Sequence, residues 1–456
     1  MLSAAQDILD VQENIVVNSS AADQKCLPKV DKRLCKPIST GAVLLADIIP
    51  CFVVKFSFPF FMQRIPFGVR HMIVVVLQFC SYLVVAFSVN IPMSLLGVIF
   101  ASMSSGLGEI TYLALSPNYK NVISTWSSGT GGAGVLGAFS YAFLTEPHFA
   151  NLTPSQATLV MLVIPVLFAA AYWWLLVVPD SVYQVGLHPK TWIVPRSHLA
   201  KSDSPVTDSV TDSTDSKTPV VNYDGRGTSD STGTSNSTST SNSVDTSNSA
   251  GTSDSADTTQ SESPSTRDKF VKQRKLSFPE KMKAILPLLK YMIPIMLVYL
   301  GEYLINQGIV QLIIFDCDHG FDLSVESQYR WYQVIYQVGV FISRSSVDIV
   351  RLNYTLLVLL PILQITNVFI FLFESLYYFI PHIWILFSLI LFEGIFGGAS
   401  YVNTFQEIHD ISPPDIREYA MSVSSLGDTI GICVAGFASI PLHNAICRTS
   451  LYSVNK

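Results

Sequence analysis

Three glutamates stand alone inside apolar stretches, and their carboxylates are the groups most able to do chemistry there. They are Glu109 in "SSGLGE", Glu302 in "YLGEYLINQG" and Glu393 in "LFEGIFGGAS". A charged side chain at the centre of a bilayer costs roughly 2.5–3.5 kcal/mol on insertion scales, so such residues face a bundle interior or a water-filled cavity. Each acid is therefore a candidate cavity residue.

Amide side chains extend this pattern along the segment that carries Glu302. Asn306 follows Glu302 by four residues, so the acid and the amide share one helix face. Gln307 and Gln311 form a neighbouring polar stripe. We predict that a substrate cavity is lined by Glu109, Glu302, Asn306, Gln307 and Glu393. The alternative is that these groups hydrogen-bond between helices and only hold them together.

Four further charged residues lie within apolar stretches or at their ends. Asp47 and Lys55 are eight residues apart, roughly on one helix face, and a shared partner or a water could link them. Lys55 could instead extend to the membrane surface. Asp428 stands in "SSLGDTIGI", and we expect a structural or gating role for it. Arg344, in "SRSS", either shares that role or anchors to lipid headgroups.

Small residues are concentrated in "WSSGTGGAG", which opens an apolar stretch. A thin helix allows close crossing, whereas a broken helix exposes backbone groups to a ligand. The structural or gating glycines are predicted to be Gly129, Gly131, Gly132, Gly134, Gly397 and Gly398. The run resembles a phosphate loop, but no G-K-[ST] follows it and no strand precedes it, so we reject that reading.

Composition indicates a polytopic membrane protein. Of 456 residues, 49% are hydrophobic and only 14% are charged, although one long segment is almost wholly polar. Soluble domains carry about 25% charged residues. The net charge of −6 argues against a nucleic-acid partner. Metalloprotease, Ser/His/Asp and kinase motifs and zinc-type Cys/His clusters do not occur, so we predict neither an enzyme nor a cofactor or metal.

Apolar stretches long enough to span a bilayer predict an all-α bundle of about ten spans in two halves. The predicted spans are 39–61, 69–89, 92–115, 126–145, 155–178, 284–314, 329–350, 354–373, 376–402 and 419–440. The predicted organisation is a luminal loop (1–38), an N-terminal half (39–179), a tether (180–283), a C-terminal half (284–442) and a short tail (443–456). Ser, Thr, Asp, Asn and Gly dominate the tether, so we expect it to be disordered and cytosolic.

Loop charges set the expected orientation. The basic loops at 63–71, 267–283 and 344–353 are predicted to be cytosolic, and the acidic loop at 316–327 luminal. Asn18 and Asn151 carry glycosylation sequons in loops that this scheme makes luminal. Asn236 and Asn353 carry two more on the predicted cytosolic side, where they should stay unmodified, so the sequons do not decide the orientation. Cys26 and Cys35 share one predicted luminal loop, where they either pair with each other or stay free.

Several strings resemble the battenin (Batten-disease protein) family. They are "AVLLADIIP", "VVAFS", "ASMSSGLGE", "WSSGTGGAG", "EYLINQG", "QYRWYQ", "QVGVFISRSS", "EGIFGGASYVNTF", "REYAM" and "DTIGI". They run in order from about Ala42 to Cys447 and skip only the tether. Glu302, Arg344 and Asp428 stand within these strings.

The resemblance implies a lysosomal or vacuolar membrane protein with a fold like the major facilitator and equilibrative nucleoside transporter group. It further implies a role in luminal pH, basic amino acid balance, trafficking and glycerophosphodiester efflux. Protonatable Glu109, Glu302 and Glu393 would couple transport to an acidic lumen. The bilayer, a small-molecule substrate and protons are the expected partners. The alternative is a non-transporting scaffold that regulates vesicle trafficking or the proton pump.

Three departures from the family pattern are expected to matter. The chain starts "MLSAAQDIL", which resembles the end of the family's first span, so that span is expected to be missing. "CRTS" at 447–450 would be a prenylation box at a chain end, but "LYSVNK" follows it. The tether contains no acidic di-leucine sorting signal.

Overall fold

Helices make up the regular structure of the chain. The computed structural model describes residues 26–30, 35, 40–119, 122–146, 149–179, 182–186, 188–195, 274 and 276–449. Helices before the tether are α1 (Thr40–Ser57), α2 (Phe67–Ala86), α3 (Ile91–Leu115), α4 (Val122–Thr145), α5 (Pro154–Val160) and α6 (Val163–Ala170). Helices after it are α7 (Phe278–Ile285), α8 (Leu289–Leu304), α9 (Val325–Ser345), α10 (Tyr354–Tyr377), α11 (Ile383–Ile411), α12 (Arg417–Ser424) and α13 (Leu426–Arg448).

Seven helical stretches within the described ranges are long and apolar enough to cross a membrane. They are Phe67–Ala86, Ile91–Asn118, Pro154–Leu175, Phe278–Leu312, Tyr354–Tyr377, Ile383–Ile411 and Arg417–Arg448. Each coincides with a predicted span. The other three predicted spans coincide with α1, α4 and α9. The predicted all-α, polytopic architecture is confirmed.

The predicted span at 376–402 is wrong by seven residues at its start and by nine residues at its end. The helix there is α11, Ile383–Ile411. Tyr378 takes a left-handed conformation (φ 49°) that ends α10, so the apolar residues after it form a loop instead of starting a helix. Beyond Val402, α11 continues through a more polar sequence in which Asn403, Thr404, Phe405 and Ile408 are still buried.

Close crossings bring α9 between α4 and α11. A side chain on Gly339 of α9 would place its Cβ 3.2 Å from the Cα of Gly394 on α11, so both positions need glycine. On the other side of the bundle, α1 packs against α3 and α13.

The main hydrophobic core draws on helices from both sides of the tether. Leu44 and Ile48 of α1 pack in one cluster with Ile295 of α8 and Phe405 of α11. Residues 1–202 and 270–456 accordingly form one compact unit. The boundaries of the two predicted halves remain a prediction. Most of the tether predicted to be disordered at 180–283, residues 196–273, lies outside the described ranges. Its ends are structured, with a 3-10 turn at Pro189–Trp192 and the start of α7 at Phe278.

Disulfide pairing differs from the expected alternatives. Cys26 pairs with Cys317 in the loop after α8, and Cys35 pairs with Cys447 in the last turn of α13. Cys26 and Cys35 are therefore neither free nor paired with each other. Spacing along the chain could not reveal these partners, because they lie 291 and 412 residues away. Cys26, Cys35 and Cys317 lie in segments predicted to be luminal, and disulfides persist in oxidising compartments.

Candidate functional site

Lys55 lies at the centre of a buried ion cluster that joins three helices. Its Nζ is 2.7 Å from Glu109 Oε2 on α3 and 3.4 Å from Asp428 Oδ2 on α13. Thr429 Oγ1 accepts a further hydrogen bond from Nζ at 2.8 Å. The side chains of Lys55 and Asp428 are only 2% and 5% exposed, whereas Glu109 is 21% exposed. Glu109 is therefore the member of this cluster that a solute could reach.

Local sequence explains why these charges meet. A Cβ on Gly106 would lie 3.2 Å from Cys51 Cα, so this glycine lets α3 cross α1 closely. Glu109 and Lys55 each follow that crossing by about one helical turn. Lys55 is in the last turn of α1 and Asp428 in the first turn of α13. The helix dipole favours a cation such as Lys55 in the last turn of a helix and an anion such as Asp428 in the first turn.

Tyrosines connect this cluster to Arg344. Tyr401 on α11 donates a hydrogen bond to Glu109 Oε1 at 3.0 Å. The guanidinium of Arg344 lies 4.0 Å from the centre of the Tyr401 ring. Arg344 also donates to Thr130 Oγ1 on α4 at 2.9 Å and to Tyr299 OH on α8 at 3.0 Å.

Within the described residues the Arg344 guanidinium contacts only neutral groups, and the charge of Glu302 acts on it from beyond ion-pair distance. Among the described residues its Nε is buried without a hydrogen-bond acceptor, and no carboxylate forms an ion pair with it. Arg344 thus lies between helices from both sides of the tether, which goes against the expected alternative of a headgroup anchor. A planar guanidinium in such a place fits a phosphate or carboxylate group.

A second buried cluster contains most of the other predicted cavity residues. Asn306 Nδ2 donates to Glu393 Oε1 at 2.8 Å, and Gln333 donates to Asn306 Oδ1 at 3.3 Å. Tyr336 OH donates to Glu302 Oε1. Glu302 and Glu393 are 1% and 0% exposed, and one oxygen of each lacks a partner in the described part of the chain.

Four of the five predicted cavity residues therefore divide between two clusters. Glu302, Asn306 and Glu393 lie together between α8 and α11, whereas Glu109 lies with Lys55. Gln307 is buried in the π-helical turn Ile305–Ile309 that follows α8. Asp47 forms no ion pair with Lys55, although the sequence suggested a link between them.

Tyr299, Tyr336, Tyr401 and Thr130 were missed by sequence reasoning. A tyrosine or threonine in an apolar span carries no charge and gives no local signal, so only the fold identifies these residues as partners of the charged groups. The "YVNTF" string held Tyr401 without pointing to its hydrogen bond with Glu109.

The predicted structural glycines of α4 lie in one unbroken helix, Val122–Thr145. A Cβ on Gly131 would lie 3.0 Å from Phe341 Cα and 3.4 Å from Arg344 Cβ, so this glycine makes room for the arginine. Gly132 faces the Phe341 ring, Gly134 faces Gln337, and Gly129 meets no atom within 4 Å.

The two glycines of α11 lie against neighbouring side chains and backbone. A Cβ on Gly397 would lie 2.6 Å from Glu302 Cδ, and one on Gly398 would lie 3.1 Å from Val340 Cα. Both positions thus need glycine for packing. A gating role for any of these six glycines, or for Asp428, stays a prediction.

Asn151 lies exposed in the loop between α4 and α5, in a left-handed conformation (φ 49°). This position suits a glycan, since the residue is exposed. Asn18 lies outside the described residues.

A separate apolar cavity of about 210 Å³ lies among α3, α4 and the end of α6. Its walls are formed mainly by aromatic and aliphatic side chains, and they include none of the five predicted cavity residues. The lining residues are Tyr112, Leu115, Ser116, Tyr119, Val122, Trp126, Phe168, Ala171, Tyr172 and Leu176. Tyr112 follows Glu109 by three residues, so the apolar cavity begins one helical turn from the ion cluster.

Known proteins match this chain along nearly its whole length. A profile of the CLN3 protein family matches residues 1–449. Battenin from Canis lupus familiaris is 35% identical over 455 residues, which cover 99% of this chain and 88% of that protein. Protein btn-1 from Neurospora crassa is 33% identical over 415 residues (90% and 82%), and protein BTN1 from Eremothecium gossypii is 32% identical over 417 (89% and 87%). The resemblance drawn from the sequence strings is confirmed, and the chain belongs to the CLN3 (battenin) family of multi-pass membrane proteins.

Proposed function

We propose that this chain is a transporter of the lysosomal or vacuolar membrane that moves a small anionic or zwitterionic solute by alternating access. The observation that carries the proposal is the ion cluster of Lys55, Glu109 and Asp428. It lies between helices that precede the tether and a helix that follows it. A charged cluster in an apolar bundle costs stability, so its presence points to transport and not to packing alone.

The charges of this cluster suggest how a proton could be coupled to transport. One cation faces two carboxylates, so the cluster carries a net charge of −1 when all three groups are ionised. Binding one proton would bring it to zero. Because α1, α3 and α13 each supply one member, movement of α13 away from the other two helices would break the Lys55–Asp428 ion pair and leave Lys55 with Glu109.

Arg344 is the proposed binding group for the solute. Its guanidinium lacks an anionic partner in the described residues, and Tyr299, Tyr401 and Thr130 hold it in place. A phosphodiester or carboxylate would complete its coordination. This chemistry supports glycerophosphodiesters as cargo, and the carboxylate of a basic amino acid is the second candidate. Regulation of luminal pH would follow from proton coupling.

Counterflow into proteoliposomes tests the proposal. Labelled glycerophosphodiesters and basic amino acids are offered to the wild type, Arg344→Lys and Arg344→Gln, with and without an acidic interior. Arg351→Gln is the matched control, since Arg351 is exposed and pairs with Glu407 and Asp410 at the surface. We expect saturable flux of one solute, a loss of at least tenfold in Arg344→Gln, and unchanged flux in Arg351→Gln.

The same experiment separates the transporter from its rivals. Recovery of the label as intact solute would argue against an enzyme. Absence of flux from well-folded wild-type protein for every solute would favour the scaffold alternative, in which surface loops would act on trafficking or the proton pump. Equal flux in the wild type and Arg344→Gln would refute the role of Arg344 but leave transport standing.

A further inference from the structure

The two disulfides differ in the polar group beside them. His443 Nε2 lies 3.6 Å from Cys447 Sγ in the Cys35–Cys447 pair. Asp322 Oδ1 lies 3.8 Å from Cys26 Sγ in the Cys26–Cys317 pair. We propose that Cys35–Cys447 is a thiol–disulfide exchange site, attacked by a small thiol at Cys35, with His443 assisting the departure of Cys447.

Hydrogen bonding fixes which nitrogen of His443 carries the proton. Gln311 Nε2 lies 3.0 Å from His443 Nδ1 and 3.4 Å from the carbonyl oxygen of Gln307. An amide nitrogen only donates, so Nδ1 is an acceptor and the proton of the neutral ring is on Nε2. That N–H faces Cys447 Sγ and would stabilise the negative charge on this sulfur when the bond breaks.

Exposure fixes the direction of attack. Cys35 is exposed, whereas Cys447 is partly buried in the last turn of α13 beside the buried His443. Exchange rates depend on access to the attacked sulfur and on how well the other sulfur carries negative charge as it leaves. Both factors favour attack at Cys35 with Cys447 as the leaving group.

The Cys26–Cys317 pair has neither an exposed sulfur to attack nor a hydrogen-bond donor beside a leaving sulfur. Both of its cysteines are partly buried, and the nearby Asp322 carboxylate would repel a developing thiolate. One chain therefore contains a labile disulfide and an internal reference for it.

The proposed reaction is a two-step exchange that needs two molecules of a small thiol. In the first step a thiolate forms a bond to Cys35 Sγ, the Cys35–Cys447 bond breaks, and the electron pair stays on Cys447 Sγ next to the His443 N–H. In the second step another thiolate attacks the mixed disulfide and releases Cys35. Two thiols are oxidised to one disulfide, and the protein disulfide is reduced to two thiols.

Reduction would release Cys35 from the end of α13. Cys35 lies five residues before α1, and its bond joins it to the last turn of α13. Leu45 and Leu44 of α1 already pack on Gly436 of α13, so the bond reinforces an existing contact. This inference does not depend on the proposed transport activity.

The test measures both disulfides in the same full-length protein. Wild-type protein in mild detergent is equilibrated with graded mixtures of reduced and oxidised glutathione, thiols are trapped by alkylation, and each cysteine peptide is quantified by mass spectrometry. A hydrogen bond to a charged group stabilises by roughly 1.5–3 kcal/mol, which corresponds to about tenfold or more in the equilibrium. We expect Cys35–Cys447 to be half reduced at about tenfold lower [GSH]²/[GSSG] than Cys26–Cys317.

The His443→Phe variant and the site of the first glutathione adduct provide two further tests. In His443→Phe the gap between the two disulfides should close, with Cys26–Cys317 unchanged. In the wild type, the first glutathione adduct should be on Cys35. This measurement needs no substitution, so it does not depend on the folding of a variant. Simultaneous reduction of both pairs, earlier reduction of Cys26–Cys317, or first adducts on Cys447 would each overturn the proposal.

Discussion

Lys55 shows best what a single residue contributes in this bundle. Its ammonium is almost fully buried, and it has two acids and a threonine as partners. Removal of one member of such a cluster leaves uncompensated charge in the interior, which is far more costly than removal of a surface pair. Lys55 therefore supports both the stability of the bundle and the proposed coupling site.

Replacement of Lys55 by methionine should destabilise the protein by about 3–5 kcal/mol, because Glu109 and Asp428 lose their cation. The free energy of unfolding can be measured in mixed micelles by titration with denaturant. Lys283→Met, at an exposed lysine on α7, is the control and should change stability by less than about 0.5 kcal/mol.

A double-mutant cycle tests whether the pair is coupled. Asp428→Asn introduced into Lys55→Met should recover part of the lost stability, because it removes one of the unpaired charges. Simple additivity of the two changes would show that the ion pair does not form in the folded protein.

At this scale the sequence identified charged residues but not their partners. Lys55, Glu109 and Asp428 were all recognisable as polar groups in apolar stretches. Their pairing was not, since Asp428 is 373 residues from Lys55 and helix spacing pointed instead to Asp47. Spacing reports only neighbours on one helix, whereas contacts between helices depend on the packing of the whole bundle.

Helices α4 and α9 form the element pair on which Arg344 depends. Gly131 on α4 is in contact with the backbone of Phe341 and the stem of Arg344. Sequence reasoning left two explanations open for the glycine run, a thin helix or a broken one. The helix is unbroken, so close packing explains Gly131.

Gly131→Ala should destabilise the protein by about 1–3 kcal/mol, because its Cβ would lie 3.0 Å from backbone that cannot easily move. Gly129→Ala is the matched control two residues away. The added Cβ meets open space, so this change should stabilise the helix by about 0.5–1 kcal/mol. Thermal unfolding of both variants gives the comparison, and equal effects would contradict the predicted close contact.

Orientation of the whole molecule is predicted from loop charge and stays a prediction. The sequence predicted ten spans, each of which coincides with helical residues in the described ranges, and seven of these stretches are long and apolar enough to cross a bilayer. It did not predict which cysteines pair, since the partners come together only when helices on both sides of the tether assemble into one unit.

Glycosylation tests the orientation. We expect Asn151 to carry a glycan, so that Asn151→Gln lowers the apparent mass on a gel as enzymatic deglycosylation does. Asn353 is the internal control, because its sequon is on the predicted cytosolic side and its side chain already caps α10 by accepting from Leu356 N–H at 3.0 Å. A mass shift in Asn353→Gln but not in Asn151→Gln would invert the topology.

The most direct test of the central claim is to lock α4 to α9 and measure transport. Ser128 Oγ and Ser345 Oγ lie 2.8 Å apart across this interface, so Ser128→Cys with Ser345→Cys should form a disulfide on oxidation. Wild type treated with the same oxidant and reductant is the control. We predict that counterflow of the solute stops on cross-linking and returns on reduction. Undiminished flux through fully cross-linked protein would contradict alternating access.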